Sequence, residues 1–200
     1  ILRSEIPEGT LRVTGPAPTS VSLLHPLADF YQSAGRVLPI HHAVAPDLIP
    51  EPQRTLLVHH RDMTSTLEQF HGRRIHLEVL SQELHGNLLH RQVVLLLDDT
   101  DEPVEFGATR VHLDRFPEPW RSEIVAARRP LGGILNAARQ PYLSRPSAFI
   151  AVEPDPFLSA ALRIAAPSPK ALYGRQNTLR TPEGLEIAEI LEILPPHAGQ

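Results

Sequence analysis

The chain has 200 residues, 42% of them hydrophobic, and 19 Lys and Arg against 23 Asp and Glu give a net charge of −4. That length and apolar content suit one domain with a sizeable core, and the slight negative charge without a long basic block excludes the electrostatic footprint of nonspecific nucleic-acid binding. Cysteine is absent, which excludes disulfides, thiolate nucleophiles and cysteine-ligated zinc together.

Residues 1–54 are rich in proline (Pro7, Pro16, Pro18, Pro26, Pro39, Pro46, Pro50, Pro52) and read as an irregular lead-in packed on the domain, with a short helix around Ala28-Asp29-Phe30-Tyr31. Residues 55–200 form the domain proper. Thr55-Leu56-Leu57-Val58-His59-His60 reads as a strand, and Met63 to Phe70 as a helix with polar caps, stopped by Gly72. Strands follow near Arg74 to Gln82 and Leu88 to Leu97. A polar turn from Asp98 to Pro103 leads to a third strand from Val104 to Leu113. Trp120 to Asn136 is helical on either side of Pro130, and Pro154 to Ala165 predicts another helix. A final hairpin joins Tyr173–Arg180 to Leu185–Leu194 through Thr181-Pro182-Glu183-Gly184. Successive hairpins without a regular beta-alpha-beta alternation predict a single α+β domain, an antiparallel sheet flanked by helices on one side and enclosing a small cavity.

The closing strand carries the first chemical signal. Leu185, Ile187, Leu191 and Ile193 share one face by period two, and the middle position of that face is Glu189. Glu186 and Glu192 fall on the opposite face and read as surface acids. Glu189 is either partnered inside by an arginine or a polar ligand, or carried to water by a twist or bulge of the strand. Arg91 opens the apolar run Gln92 to Leu97; it either snorkels out at the strand end, which the pattern alone favours, or turns inward as a fixed cation for a carboxylate.

Other chemistries lack their residues. His41-His42 and His59-His60 are adjacent pairs whose members point apart on a strand, and no His-Glu-x-x-His arrangement exists, so no catalytic metal is expected. Neither a phosphate-cradling glycine loop nor a Gly-x-Ser-x-Gly elbow is present. No apolar run approaches the roughly 20 residues of a membrane-spanning helix. Ile1-Leu2-Arg3-Ser4-Glu5 is not a secretory signal, and a cytoplasmic location is the expectation.

Five ordered blocks from about residue 55 onward carry a resemblance. They are Asp62-Met63-Thr64 with Glu68-Gln69-Phe70; Arg91 heading its apolar strand; Glu102-Pro103 with Gly107; Pro130-Leu131-Gly132; and the closing hairpin with Arg175 and Ala188-Glu189. In these the chain resembles the chorismate pyruvate-lyase (4-hydroxybenzoate synthase) family, whose fold is related to the UTRA ligand-binding domains of transcription regulators. The resemblance implies conversion of chorismate to 4-hydroxybenzoate and pyruvate without metal or organic cofactor. It assigns the ring carboxylate to Arg91, proton transfer to Glu189 as the essential glutamate, and main-chain ligand contacts to Met63 and Leu131. The family's usual Thr before the glutamate is Ala188 here. Counting back from Pro196 selects Glu192, whereas counting forward from the turn selects Glu189, the one carboxylate on the apolar face. An apolar setting there is expected to raise the Glu189 pKa. The competing class is a stand-alone UTRA-like sensor of small aromatic acids that performs no chemistry, since fold does not fix function. The expected partner is a small molecule, with neither nucleic acid nor membrane, and the pattern leaves the oligomeric state open.

Overall fold

A computed structural model describes residues 22–139 and 141–196. Seven antiparallel strands form one sheet in the order β1-β5-β6-β7-β4-β3-β2. The strands are β1 (His41–Ala43), β2 (Ile75–His85), β3 (Leu88–Leu97), β4 (Pro103–His112), β5 (Leu143–Val152), β6 (Leu172–Arg180) and β7 (Glu186–Leu194). The helices are α1 (Leu27–Ser33), α2 (Gln53–Leu57), α3 (Met63–His71), α4 (Trp120–Ala126), α5 (Leu131–Ala138) and α6 (Pro156–Ala161).

Helices cover both sheet faces, where the sequence led to an expectation of one. On one face α1 and α6 bury Leu27, Tyr31 and Leu158 against Val94, Phe106, Ala108, Leu191 and Ile193. On the other, α2 and α3 bury Leu57, Met63 and Leu67 against Val93, Leu95 and Leu194, while α4 and α5 pack Ile124, Leu131 and Ile134 against Val111, Leu179 and Ile190. The alternation in β7 therefore does not separate core from water. Both of its faces are interior.

Local chemistry sets several boundaries. Asp62 caps α3 by accepting from the Ser65 N–H at 2.8 Å, and Gly72 closes it in the left-handed region. Pro130 separates α4 from α5, as the sequence indicated. The strand expected at Thr55–His60 is instead the end of α2 and the segment that follows it. Its short Leu-Leu-Val run satisfies either period, and the carboxylate of Glu51 accepts from Arg54 and the Thr55 N–H, favouring a helical turn. Residues 22–54 supply α1, α2's first residues and the edge strand β1; residues 1–21 of the lead-in lie outside the described residues.

Gly174 shows how tightly β6 meets β7. A Cβ at this position would stand 2.4 Å from the Glu192 backbone oxygen. Gly174→Ala is expected to destabilise the fold by about 1–3 kcal/mol or more. Gly133→Ala, which meets nothing within 4 Å in helix α5, should instead stabilise by about 0.5–1 kcal/mol. Denaturant unfolding of both variants checks the contrast; a neutral Gly174→Ala would contradict the close approach.

Candidate ligand-binding site

Alternate residues of the four central strands make the floor of a cavity. Arg91, Val93 and Leu95 of β3 stand opposite Thr109, Gly107 and, near the strand end, Glu105 of β4. Ile190 and Glu192 of β7 pair with Thr109 and Gly107, and Asn177 and Arg175 of β6 pair in turn with Ile190 and Glu192. Gly107 leaves the middle of this floor without a side chain, a role consistent with glycine in a strand interior. The roof is made by the N-terminal turns of α3 and α5, with Asp62, Met63 and Thr64 facing Pro130, Leu131 and Gly132, and by Tyr142. Together these residues enclose a cavity of about 60 Å³ open to the centres of water-sized molecules. At roughly 10–15 Å³ of such space per water, that is the room of about four to six waters, the bulk of a compact single-ring molecule.

The polar groups cluster at two ends. Arg91 is only 2% exposed, and its Nη1 donates to the Ile124 carbonyl in the last turns of α4 at 2.8 Å. No ion pair to Arg91 is found among the described residues, and its Nε has no hydrogen-bond partner. Burial lowers its pKa to about 10, which leaves it a cation at neutral pH. Four residues along β3, roughly 13 Å at the backbone, separate its position from that of Leu95, which faces Glu105.

At the Glu105 end two carboxyl groups share one arginine. Arg175, 0% exposed, donates through Nε to Glu192 in a short ion pair. Its other nitrogens donate to the carbonyls of Leu57 (3.1 Å), His59 (3.1 Å) and Arg61 (3.4 Å). Glu105 is fully enclosed, and its Oε2 lacks a partner. Burial first, and repulsion from Glu192 second, push the Glu105 carboxyl well above the usual range against the pull of Arg175. Glu105 is thus the neutral acid of the two. Burial also raises the Tyr142 hydroxyl to about 12, so it is a neutral phenol in the cavity wall.

His59 sits under this network. Its Nε2 donates to the Leu56 carbonyl at 2.7 Å while Nδ1 accepts from the Arg61 N–H at 3.1 Å, which defines a neutral ring. Burial and the nearby Arg175 charge lower its pKa to about 4.

Of the residues singled out from sequence, Arg91, Met63 and Leu131 line this cavity and Glu189 does not. Glu189 lies on the opposite face with Leu191 and Ile193, but that face belongs to the α1 side, and the register shift between Leu179 and Arg180 brings Glu186, read from sequence on the other face, to the same side. Arg110, its direct neighbour on β4, forms a short ion pair with it, and His25 Nε2 stands 3.2 Å from its Oε1. Burial works to raise the Glu189 carboxyl, but His25 and Arg110 outweigh it and hold it below the usual range, the reverse of the expected direction. Glu192, read from the strand pattern as a surface acid but selected by counting back from Pro196, occupies the cavity wall. Glu105, Tyr142 and Asn177 were not singled out at all; Glu105-Phe106-Gly107-Ala108-Thr109 alternates polar and apolar residues, so a cavity-lining face has the appearance of a solvated one.

No family model matches the sequence, and no curated protein matches it. Solved structures do. The effector domain of PhnF from Mycobacterium smegmatis aligns with a TM-score of 0.50 at 12% identity, over 68% of this chain and 88% of that one. A structure of PhnF from the same organism aligns with a TM-score of 0.51 at 12% identity, over 69% of this chain and 65% of that one. Identities this low establish the fold, and the fold is the UTRA-like α+β arrangement expected from the sequence. Among the described residues no helix is long and apolar enough to cross a membrane.

Two titrations of opposite sign follow. Unfolded His59 protonates near pH 6.5 whereas the folded ring resists to about pH 4, so the unfolded chain binds more protons in that window and stability falls as pH drops through it. Glu105 keeps its proton in the fold above the ordinary carboxyl value of 4.5, so its contribution to stability falls as pH rises past 4.5. Denaturant midpoints measured against pH should lose part of the acid-side slope in His59→Gln and part of the rise-in-pH loss in Glu105→Gln. Unchanged slopes in both variants would contradict these assignments.

Proposed function

We propose that the chain is a small-molecule binding domain whose ligand is a compact organic acid, its anionic group held by Arg91 and its far end set against Glu105 and Tyr142. One observation carries the reading: a buried guanidinium, with no carboxylate partner among the described residues and an unused Nε, faces an apolar cavity. Leaving such a cation without an anion costs several kcal/mol, and a ligand carboxylate offers a charge-assisted, bidentate partner. The main-chain N–H groups at the starts of α3 and α5, which carry Met63 and Leu131, would add donors at the roof. Met63, Leu77, Val93, Leu131 and Ile190 supply apolar walls for a ring. Support by analogy comes from PhnF, one of whose structures is described as an effector domain.

A second reading, elimination of pyruvate from chorismate to leave 4-hydroxybenzoate, rests on one observation: a carboxylate and an arginine line the same cavity. In that reaction the proton-transferring role would pass from Glu189 to Glu192, with Arg91 on the ring carboxylate. Loss of a ring proton and of the enolpyruvyl ether makes an aromatic ring, so the chemistry needs positioning and proton management above all. Pyruvate release from chorismate, followed by lactate dehydrogenase coupling, tests this reading; no release by the unaltered protein rejects it and leaves the binding domain.

Arg91→Met separates ligand binding from folding. It removes a buried unpaired charge, so the unliganded protein is expected to gain about 1–3 kcal/mol of stability. The same change should weaken 4-hydroxybenzoate binding at least tenfold in calorimetric titration. A variant that binds the acid as tightly as the unaltered protein would sink the assignment of Arg91.

A further inference from the structure

On the sheet face opposite the cavity, His112, Glu186 and Glu189 converge, and His25 stands at the edge of the group beside Glu189. His112 Nε2, Glu186 and Glu189 offer ligand atoms that all lie within 4.8 Å of one another. The outer oxygens of the two carboxylates are already committed: Glu189 Oε2 to Arg110, and Glu186 Oε2 to Arg180 at 3.0 Å. Their inner oxygens face imidazoles. Glu186 Oε1 is 3.9 Å from His112 Nε2, and Glu189 Oε1 is 3.2 Å from His25 Nε2.

Neither imidazole nitrogen makes a hydrogen bond, although both atoms are buried and His25 is only 9% exposed. His25 Nε2 faces Glu189 Oε1 at 3.2 Å as an ion-pair neighbour. Its Nδ1 stands 3.4 Å from Asp29 Oδ2, the carboxylate–histidine relay that commonly orients a metal-bound imidazole. Arg110 and Arg180 likewise hold the carboxylates from outside, as supporting groups do around metal ligands. Counting Asp29, Glu186 and Glu189 against these two arginines leaves the cluster net negative with neutral imidazoles.

We propose that His112, Glu186 and Glu189 form the core of a binding site for a divalent zinc-like cation, with His25, which stands outside that group beside Glu189, turning in as the fourth ligand. Two imidazole nitrogens and two carboxylate oxygens are a donor set that suits Zn²⁺ in four-coordination, and they are too rich in nitrogen for Mg²⁺ or Ca²⁺. A closed tetrahedral shell with bonds of about 2.1 Å spaces its donors by roughly 3.4 Å. The ion therefore draws the side chains inward by rotation about their own bonds. The site joins three parts of the fold. His25 precedes α1, His112 ends β4, and Glu186 and Glu189 lie on β7, so the cation fastens the α1 segment to the sheet.

Calorimetric titration of Zn²⁺ into chelator-treated full chain is expected to show one site in the micromolar range or tighter. Co²⁺ substituted there should give the visible absorption of a tetrahedral complex. Glu186→Gln, which preserves shape, and His112→Ala should each weaken Zn²⁺ at least tenfold, with circular dichroism reporting that both variants fold. His76→Ala serves as the distal control, since His76 and its neighbours Asp98 and Asp101 form a separate exposed group. Absence of zinc binding, octahedral Co²⁺, or binding that survives His112→Ala and Glu186→Gln but disappears in His76→Ala overturns the proposal.

Discussion

Arg175 is the side chain on which the cavity half of the molecule hangs. A guanidinium with no exposure is stable in a protein only if its donors are used and its charge is met. Glu192 meets the charge, and the carbonyls of Leu57, His59 and Arg61 take the donors. Those carbonyls belong to the end of α2 and the segment that joins it to α3, so the same residue that fixes the floor also hangs the roof. Glu105 keeps its proton against the pull of this cation, because burial and repulsion from Glu192 outweigh it. One cation serves two carboxyls, Glu192 in direct contact and Glu105 beside it. Floor, roof and proton inventory are therefore one arrangement.

Much of this was legible in the chain, and the failures have physical reasons. Asp62 and Gly72 bracket α3 because capping chemistry is local. The β2–β3–β4 meander is legible because consecutive hairpins need only turn signals and apolar runs. Strand β5 went unnoticed because Leu143-Ser144-Arg145-Pro146-Ser147 is polar and contains proline; its register shifts between Pro146 and Ala148, and that irregularity accommodates the ring. Glu189 was placed on the correct strand face, but a sheet covered on both sides has no solvent face to serve as reference. Which face encloses the cavity depends on where α3 and α5 land, and periodicity within β7 does not contain that information.

The two faces use the same device for different ends. Glu189 and Glu192 of β7 each stand directly across from an arginine on a neighbouring strand, Glu189 from Arg110 and Glu192 from Arg175. Direct cross-strand opposition holds both ends of an ion pair on rigid backbone. On the cavity side the surplus carboxyl is Glu105, which lines the cavity. On the α1 side the surplus donors are the histidines.

The strand order carries a consequence for the newly made chain. Strand β7 is the last of the described strands in sequence yet lies in the middle of the sheet, between β6 and β4. As synthesis proceeds from the amino end, β2, β3 and β4 can pair with one another, but β4 keeps an open edge until the final strand emerges. The Arg175 bonds to Leu57 and His59 span 118 and 116 residues, so they too must wait. Contacts of such separation slow folding and prolong exposure of apolar strand surface. A ribosome paused shortly before β7 would therefore hold two unjoined half-sheets, each with an edge meant for the same missing strand.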